Sequence, residues 1–433
     1  MSTQTAQAGR SPQSVQAELR HVTVVSWKTP IILSVLTVLV ALLPLLIPRP
    51  GDATFRFTAG SEIIELPSLV VPGTATAWVC VVIGAAISVA AVLLTRAHRR
   101  VPMWLIALYV VVLIFGFLAW AAAGSSGTLP MIGLLSGGLA LATPLIFGAL
   151  GGVIGERAGV VNIAIEAQLL AGAFTAAIVA SAVGTPWAGL IAAMLAGVLV
   201  AVILGVFAIT YYVDQVIVGV VLNVLVIGVT TFLFRQVLAP NQAALNTVEP
   251  FRDLPIPLLS DIPVLGPILF RQTIVVYLMY IIVFVVWYGM YRTRWGLRLR
   301  AVGEHPQAAD TVGINVARTR YMNVLIAGAV AGMGGAFFTL VSVPRFNPEM
   351  TAGAGFIALA AVIFGKWDPI RATLAALLFG FASNLQSVLS VIGSPVPSQF
   401  MLMLPYIVTI FAVAGLVGRS RPPAADGEPY IKS

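Results

Sequence analysis

Charge is scarce in this chain. Of 433 residues only 9% are Asp, Glu, Lys or Arg, while 59% are hydrophobic and mean hydropathy is +1.00. A soluble domain carries about 25% charged residues. A soluble fold of this length would have more surface than so few charges can cover. A soluble enzyme, a disordered chain and a secreted disulfide scaffold are excluded. Cysteine is nearly absent: Cys80 alone permits neither an internal disulfide nor a thiolate metal centre. The three histidines, His21, His98 and His305, are far apart and form no ligand pair, so no metal site is expected. No Walker motif occurs either. Gly365-Lys366 lacks the preceding glycine in register and is followed by Trp367. If ATP is used, another chain hydrolyses it. No catalytic residue and no cofactor are expected, and no Ser/His or Cys/His pair within the apolar runs points to an intramembrane enzyme.

What is abundant is long apolar sequence. Twelve segments read as membrane helices, at 30–47, 74–95, 101–123, 129–150, 161–181, 186–210, 215–238, 272–290, 321–342, 351–365, 371–390 and 399–417. The tenth is short and Gly-rich, which suggests a re-entrant or broken element. The first 28 residues are polar, and no small-residue cleavage site follows the first run, so that run is expected to be retained. The net charge of +8 is not spread evenly. With the N-terminus in the cytoplasm and the spans alternating, 18 of the 24 basic residues fall inside and 6 outside. This positive-inside signal places both termini in the cytoplasm. The basic residues lie in short clusters between apolar runs, which favours a bilayer over nucleic acid as the partner. The expected fold is therefore an all-α polytopic bundle of about twelve spans. The Pro-rich outer loops 48–73 and 239–271 should be extended or turned, and the polar tail from Arg419 loosely ordered.

Four stretches carry information. The inside loop 291–320 contains GEHPQAADTVGI, which predicts a short self-capped helix. Pro306 suits its first turn and Gly313 its left-handed stop. A rigid helix held beneath the membrane could receive a push from a partner, or the loop could simply be solvated. The second stretch, 148–174, holds GxxxG pairs and then Asn162 and Glu166, whose i,i+4 spacing would put them on one helix face. A carboxylate within an apolar run is a functional candidate, against the plainer reading of a structural hydrogen bond to a helix end. The third, 324–340, has Gly328, Gly332, Gly334 and Gly335, which suit close helix packing. The fourth contains GKWDP at 365–369, a tight inside turn. Asn162, Glu166 and Asn223 are candidates to border a polar path, although bonding between helices would employ the same residues.

GERAGVVNIAIEAQLLAGAF, GLRLRAVGEHPQAADTVGIN, GFIALAAVIFGKWDPI and the terminal PYIK resemble the permease subunits of bacterial ABC importers for nucleosides, within the ribose and branched-chain amino acid permease superfamily. The resemblance runs from about residue 129 to the C-terminus. It implies a permease core over 129–418, an N-terminal extension over 29–128 with about three spans, a cytoplasmic segment 1–28 and a cytoplasmic tail 419–433. It also implies an ATPase with two nucleotide-binding units, a second paralogous permease and an extracytoplasmic substrate-binding lipoprotein in the cell membrane. Gly303, Glu304, His305, Pro306, Gln307, Ala308, Ala309, Asp310, Thr311 and Gly313 then form the helix that seats in the ATPase. Two alternatives stay open: a sugar or branched-chain amino acid as cargo, and a proton-coupled carrier using Glu166 or Asp214.

Overall fold

The computed structural model describes residues 27–58, 66–125, 127–393, 399, 403 and 421–432. Among them, ten helices of 19 to 27 residues are long and apolar enough to cross a membrane, whose hydrocarbon core of about 30 Å takes about 20 residues. They follow the apolar runs closely: α1 (Lys28–Leu46), α2 (Gly73–Arg96), α3 (Met103–Ala122), α4 (Met131–Arg157), α5 (Ile165–Val183), α6 (Pro186–Gly205) and α7 (Gln215–Leu233). A short α8 (Gln242–Leu245) precedes α9 (Ile274–Arg292), α10 (Arg294–Glu304), α11 (Pro306–Thr311), α12 (Val316–Phe337), α13 (Ala354–Phe364) and α14 (Pro369–Val391). Helices α6, α7 and α12 each continue through one π-helical turn. The segments expected at 1–28 and 399–417 lie almost wholly outside the described residues.

Among the described residues, strands occur in or at the edges of the Pro-rich loops 48–73 and 239–271 and at Leu129–Pro130. β1 (Asp52–Arg56) pairs antiparallel with β2 (Leu69–Pro72) and parallel with β3 (Leu129–Pro130). β4 (Asp253–Pro255) pairs antiparallel with β5 (Arg271–Thr273), with Leu254 opposite Gln272.

The chain divides into two compact bodies. Of the described residues, one holds 27–48 together with Thr74–Trp120. In it α1, α2 and α3 pack around Leu33, Ile87, Ala91, Tyr109 and Leu113. The Thr37 hydroxyl sits between those of Ser88 (3.2 Å) and Tyr109 (2.9 Å), and the three donate to the backbone carbonyls of Leu33 and Gly84, so these buried hydroxyls are satisfied.

The other body is built around α4. Every residue from Ala142 to Glu156 is buried, as expected of a helix that is apolar on all sides. α12, α13 and α14 pack against it. α6 and α12 approach so closely that a Cβ on either Gly197 or Gly328 would collide with the other's carbonyl oxygen. α13 has only 11 residues, about 16 Å of rise, and is half a span. The turn after it, Gly365 to Asp368, is tight enough to put Lys366 and Trp367 in the left-handed region (φ +56° and +55°).

Candidate coupling site at the basic end of the bundle

The loop 291–320 is more helical than its sequence suggested. Only one short helix was expected, yet Arg294–Glu304 forms a second, α10. Its buried residues Gly296, Leu299, Val302 and Gly303 recur at helical spacing, while its arginines turn outward or lie only half buried. The Thr293 hydroxyl caps it, accepting from the Gly296 N–H at 3.3 Å. Next comes α11, with Pro306 in its first turn and Gly313 left-handed at φ +84°, as the sequence predicts. Ala309 is buried against Val302 and Val316. His305, Gln307, Ala308, Thr311 and Gly313 are exposed, and Pro306 is half-buried. Val312 beside them is 75% exposed.

The end of α10 rests on the end of α4. Gly303 permits this, because a Cβ there would collide with the Arg157 carbonyl oxygen. The Arg157 guanidinium then joins three segments. It lies 3.6 Å from the Glu304 carboxylate and donates to the Trp367 carbonyl (2.9 Å) and the Lys366 carbonyl (3.4 Å). The Trp367 indole N–H donates to the buried Glu156. The Tyr291 hydroxyl donates to Asp368 at 2.8 Å, and Arg300 stacks over the Tyr291 ring.

The tail joins the same assembly, in contrast to the loose order expected of it. Residues 421–432 pack against α10, α11 and α12. Ala425 N–H donates to the Gly303 carbonyl (2.9 Å) and Ala424 N–H to Glu304 (3.3 Å). Arg320 is 2% exposed and donates to the Glu428 carbonyl at 2.7 Å and the Ala425 carbonyl at 3.4 Å. Lys432 Nζ lies 3.3 Å from the Asp310 carboxylate. Tyr430 packs on the small core of Val302, Ala309 and Val316. Burial pushes the Asp426 carboxyl up to about 7, although the Arg320 guanidinium favours its charged form. Thus segments near residues 157, 303, 367 and 425 form one surface. The predicted coupling residues also divide: Glu304, itself exposed, and Asp310 bond within the protein to Arg157, Ala424 and Lys432, while His305, Gln307, Ala308 and Thr311 face outward.

The three interior candidates surround a break between α4 and α5. Gly159, at φ +85°, ends the helix, and α5 begins only at Ile165. Asn162 therefore lies in irregular backbone and does not share a helix face with Glu166. Irregular backbone within a membrane protein must be satisfied by protein groups. Gln215 accepts from the Val161 N–H (2.7 Å). Asn223 accepts from the Ala167 N–H (2.9 Å) and donates to the Ile163 carbonyl (3.0 Å). Asn162 donates to Gln168 at 3.1 Å. Glu166 sits at the start of half-helix α13 and accepts from the Thr351 hydroxyl (2.6 Å), the Gly353 N–H (3.0 Å) and the Gly355 N–H (2.6 Å). A carboxylate is well placed at such a helix N-terminus. Asp214 caps α7 through the Val216 and Ile217 N–H groups. A cavity of about 300 Å³ on the α4–α14 seam is lined by Leu, Ile, Phe and Gly alone and offers no polar side chain to a ligand.

Sequence reasoning passed over Gln215, Arg320, Thr351, Trp367 and Tyr430. Trp367 and Tyr430 stood inside quoted motifs, but a lone aromatic in a turn or tail carries no periodicity. Arg320 was indistinguishable from a topology anchor.

Residues 134–413 match the family described as branched-chain amino acid transport system, permease component. The chain is 44% identical over 307 residues to the guanosine ABC transporter permease protein NupQ of Bacillus subtilis, covering 68% of this chain and 95% of that protein. Against NupP, also described as a guanosine ABC transporter permease protein of Bacillus subtilis, identity is 26% over 302 residues, 66% of this chain and 83% of the relative. Against TsgC13 of Haloferax volcanii, a putative glucose ABC transporter permease protein, it is 36% over 258 residues, 59% of this chain and 77% of the relative. No solved structure matches.

Proposed function

The chain belongs to the branched-chain amino acid transport system permease family, and on that premise we propose that it is a permease subunit of an ATP-driven nucleoside importer. Family and span-length helices together make it a multi-pass membrane protein and the permease component of an ABC transporter. The observation that carries the nucleoside reading is the 44% identity along 95% of a guanosine permease. The glucose relative is less similar and shares a shorter part of its length.

In this reading residues 129–418 are the transporting core and 29–128 an extension. A partner ATPase with two nucleotide-binding units seats α11. A second permease completes the path, as the two Bacillus guanosine permeases suggest, and an extracytoplasmic lipoprotein delivers the nucleoside in the cell membrane. Closure of the ATPase moves α11. Gly303 and Arg157 tie the adjoining end of α10 to α4 and to the α13–α14 turn, and the tail ties α10 and α11 to Arg320 on α12. The push therefore reaches several spans together and rocks them between inward- and outward-facing states. Asn162, Glu166 and Asn223 line the wall of the path by fixing the irregular backbone behind it. The proton-coupled alternative has less support, because Glu166 and Asp214 are occupied by backbone and hydroxyl donors.

The test is labelled guanosine uptake by the complete transporter in proteoliposomes. Uptake should require ATP and be inhibited by unlabelled nucleosides but not by ribose, glucose or leucine. Inhibition by a sugar or leucine alone would reassign the cargo. Uptake by the permeases without the ATPase would make the protein a carrier.

A further inference from the structure

Arg320 is among the most buried large side chains of the protein, and its charge is answered from outside its own helix. Both of its hydrogen-bond acceptors, the carbonyls of Ala425 and Glu428, belong to the tail, and Asp426 faces it there. A buried guanidinium stripped of such partners is costly. The tail thus completes α12 rather than decorating it. It also holds α10 through Gly303 and Glu304 and reaches the coupling helix α11 from behind through Asp310 and the Ala309 core. Gly159 closes the loop. A Cβ on it would stand 2.8 Å from Arg320 Nη2 and 3.0 Å from the Ala425 carbonyl oxygen, so the tail also presses on the entrance to the α4–α5 break.

We propose that the C-terminal segment 421–432 is a positioning strut that fastens α10–α11 to Arg320 and the α4–α5 break, so that a push on α11 moves the spans instead of bending the loop. This rests on the coupling role given to α11 above. Tyr430 is the positioning residue at its centre, through its packing on Val302, Ala309 and Val316.

The experiment compares the wild-type transporter, Tyr430→Ala, Tyr430→Phe and a chain ending at residue 420, each reconstituted with its partners. Permease abundance, bound ATPase, ATP hydrolysis and uptake per permease are measured. The strut requires that Tyr430→Ala and the truncation keep the permease in the membrane with the ATPase bound. ATP hydrolysis should continue while uptake per ATP falls about tenfold, within the range that changes along coupled elements produce. Tyr430→Phe, which keeps the packing ring, should retain uptake. Unchanged uptake per ATP in Tyr430→Ala and the truncation overturns the strut. So does a fall in abundance alone, with normal uptake per remaining permease, which is a merely structural role. A wild type that imports nothing on ATP overturns the coupling reading and the strut with it.

Discussion

Single residues decide whether the basic end of the bundle can close up. Gly303 has no room for a Cβ against the Arg157 carbonyl, whereas Gly228 on α7 has nothing within 4 Å of that position. Gly303→Ala should lift α10 from α4 and reduce ATP-driven uptake per permease by about tenfold, while Gly228→Ala should leave uptake unchanged. Equal uptake in the two variants would contradict the packing argument. Glu166 is a second such residue. Its oxygens accept three hydrogen bonds at the start of α13. Glu166→Gln would present an N–H group to donors that have no other acceptor, at a cost of about 1–3 kcal/mol. A lowered unfolding temperature in detergent is the expected result, and an unchanged one would return Glu166 to the list of free proton sites. Glu166 was visible in the sequence because a carboxylate in an apolar run is rare. Its partners were not visible: Thr351 and Gly355 lie nearly 190 residues away and have no distinguishing spacing.

Elements were legible in proportion to how much their own sequence specifies them. The spans were readable because about 20 apolar residues leave few alternatives to a membrane helix. α11 was readable because Pro306 and Gly313 mark its ends. α10 was overlooked because its arginines dominate its composition, and only its buried stripe of Gly296, Leu299 and Val302 reveals the helix. The α4–α5 break was overlooked because Gln215 and Asn223, which satisfy it, come from another helix. The tail was read as loose because it is short and polar, yet its partners are supplied by α10, α11 and α12. Its docking should depend on pH. Asp426 has its carboxyl raised from the ordinary 3.8 to about 7, so the docked tail binds a proton that the free tail releases. That proton favours docking at low pH, and its contribution is lost as pH rises through about 7. The Arg320 guanidinium and the Glu156 carboxyl face it. Amide exchange in 421–432, corrected for intrinsic rates, should be faster at pH 8 than at pH 6. Slower exchange at pH 8 would show that Arg320 outweighs burial.

At the scale of the whole molecule, the partition of 18 basic residues against 6 predicts which end of the bundle faces the cytoplasm. It could not show that four motifs, spread from residue 156 to residue 432, meet there. Charge counting reports which side of the membrane a residue is on, and only the fold reports which residues touch. The resulting surface has one outward-facing helix, and its inner side is tied to α4, α12, the α13–α14 turn and the tail. The most direct test of this account changes only the outward face. Gln307→Arg combined with Ala308→Trp, made in the complete transporter, should leave the permease at normal abundance in the membrane. The account predicts that bound ATPase and ATP-driven uptake are then both lost. Normal ATPase binding and uptake in that variant would contradict it.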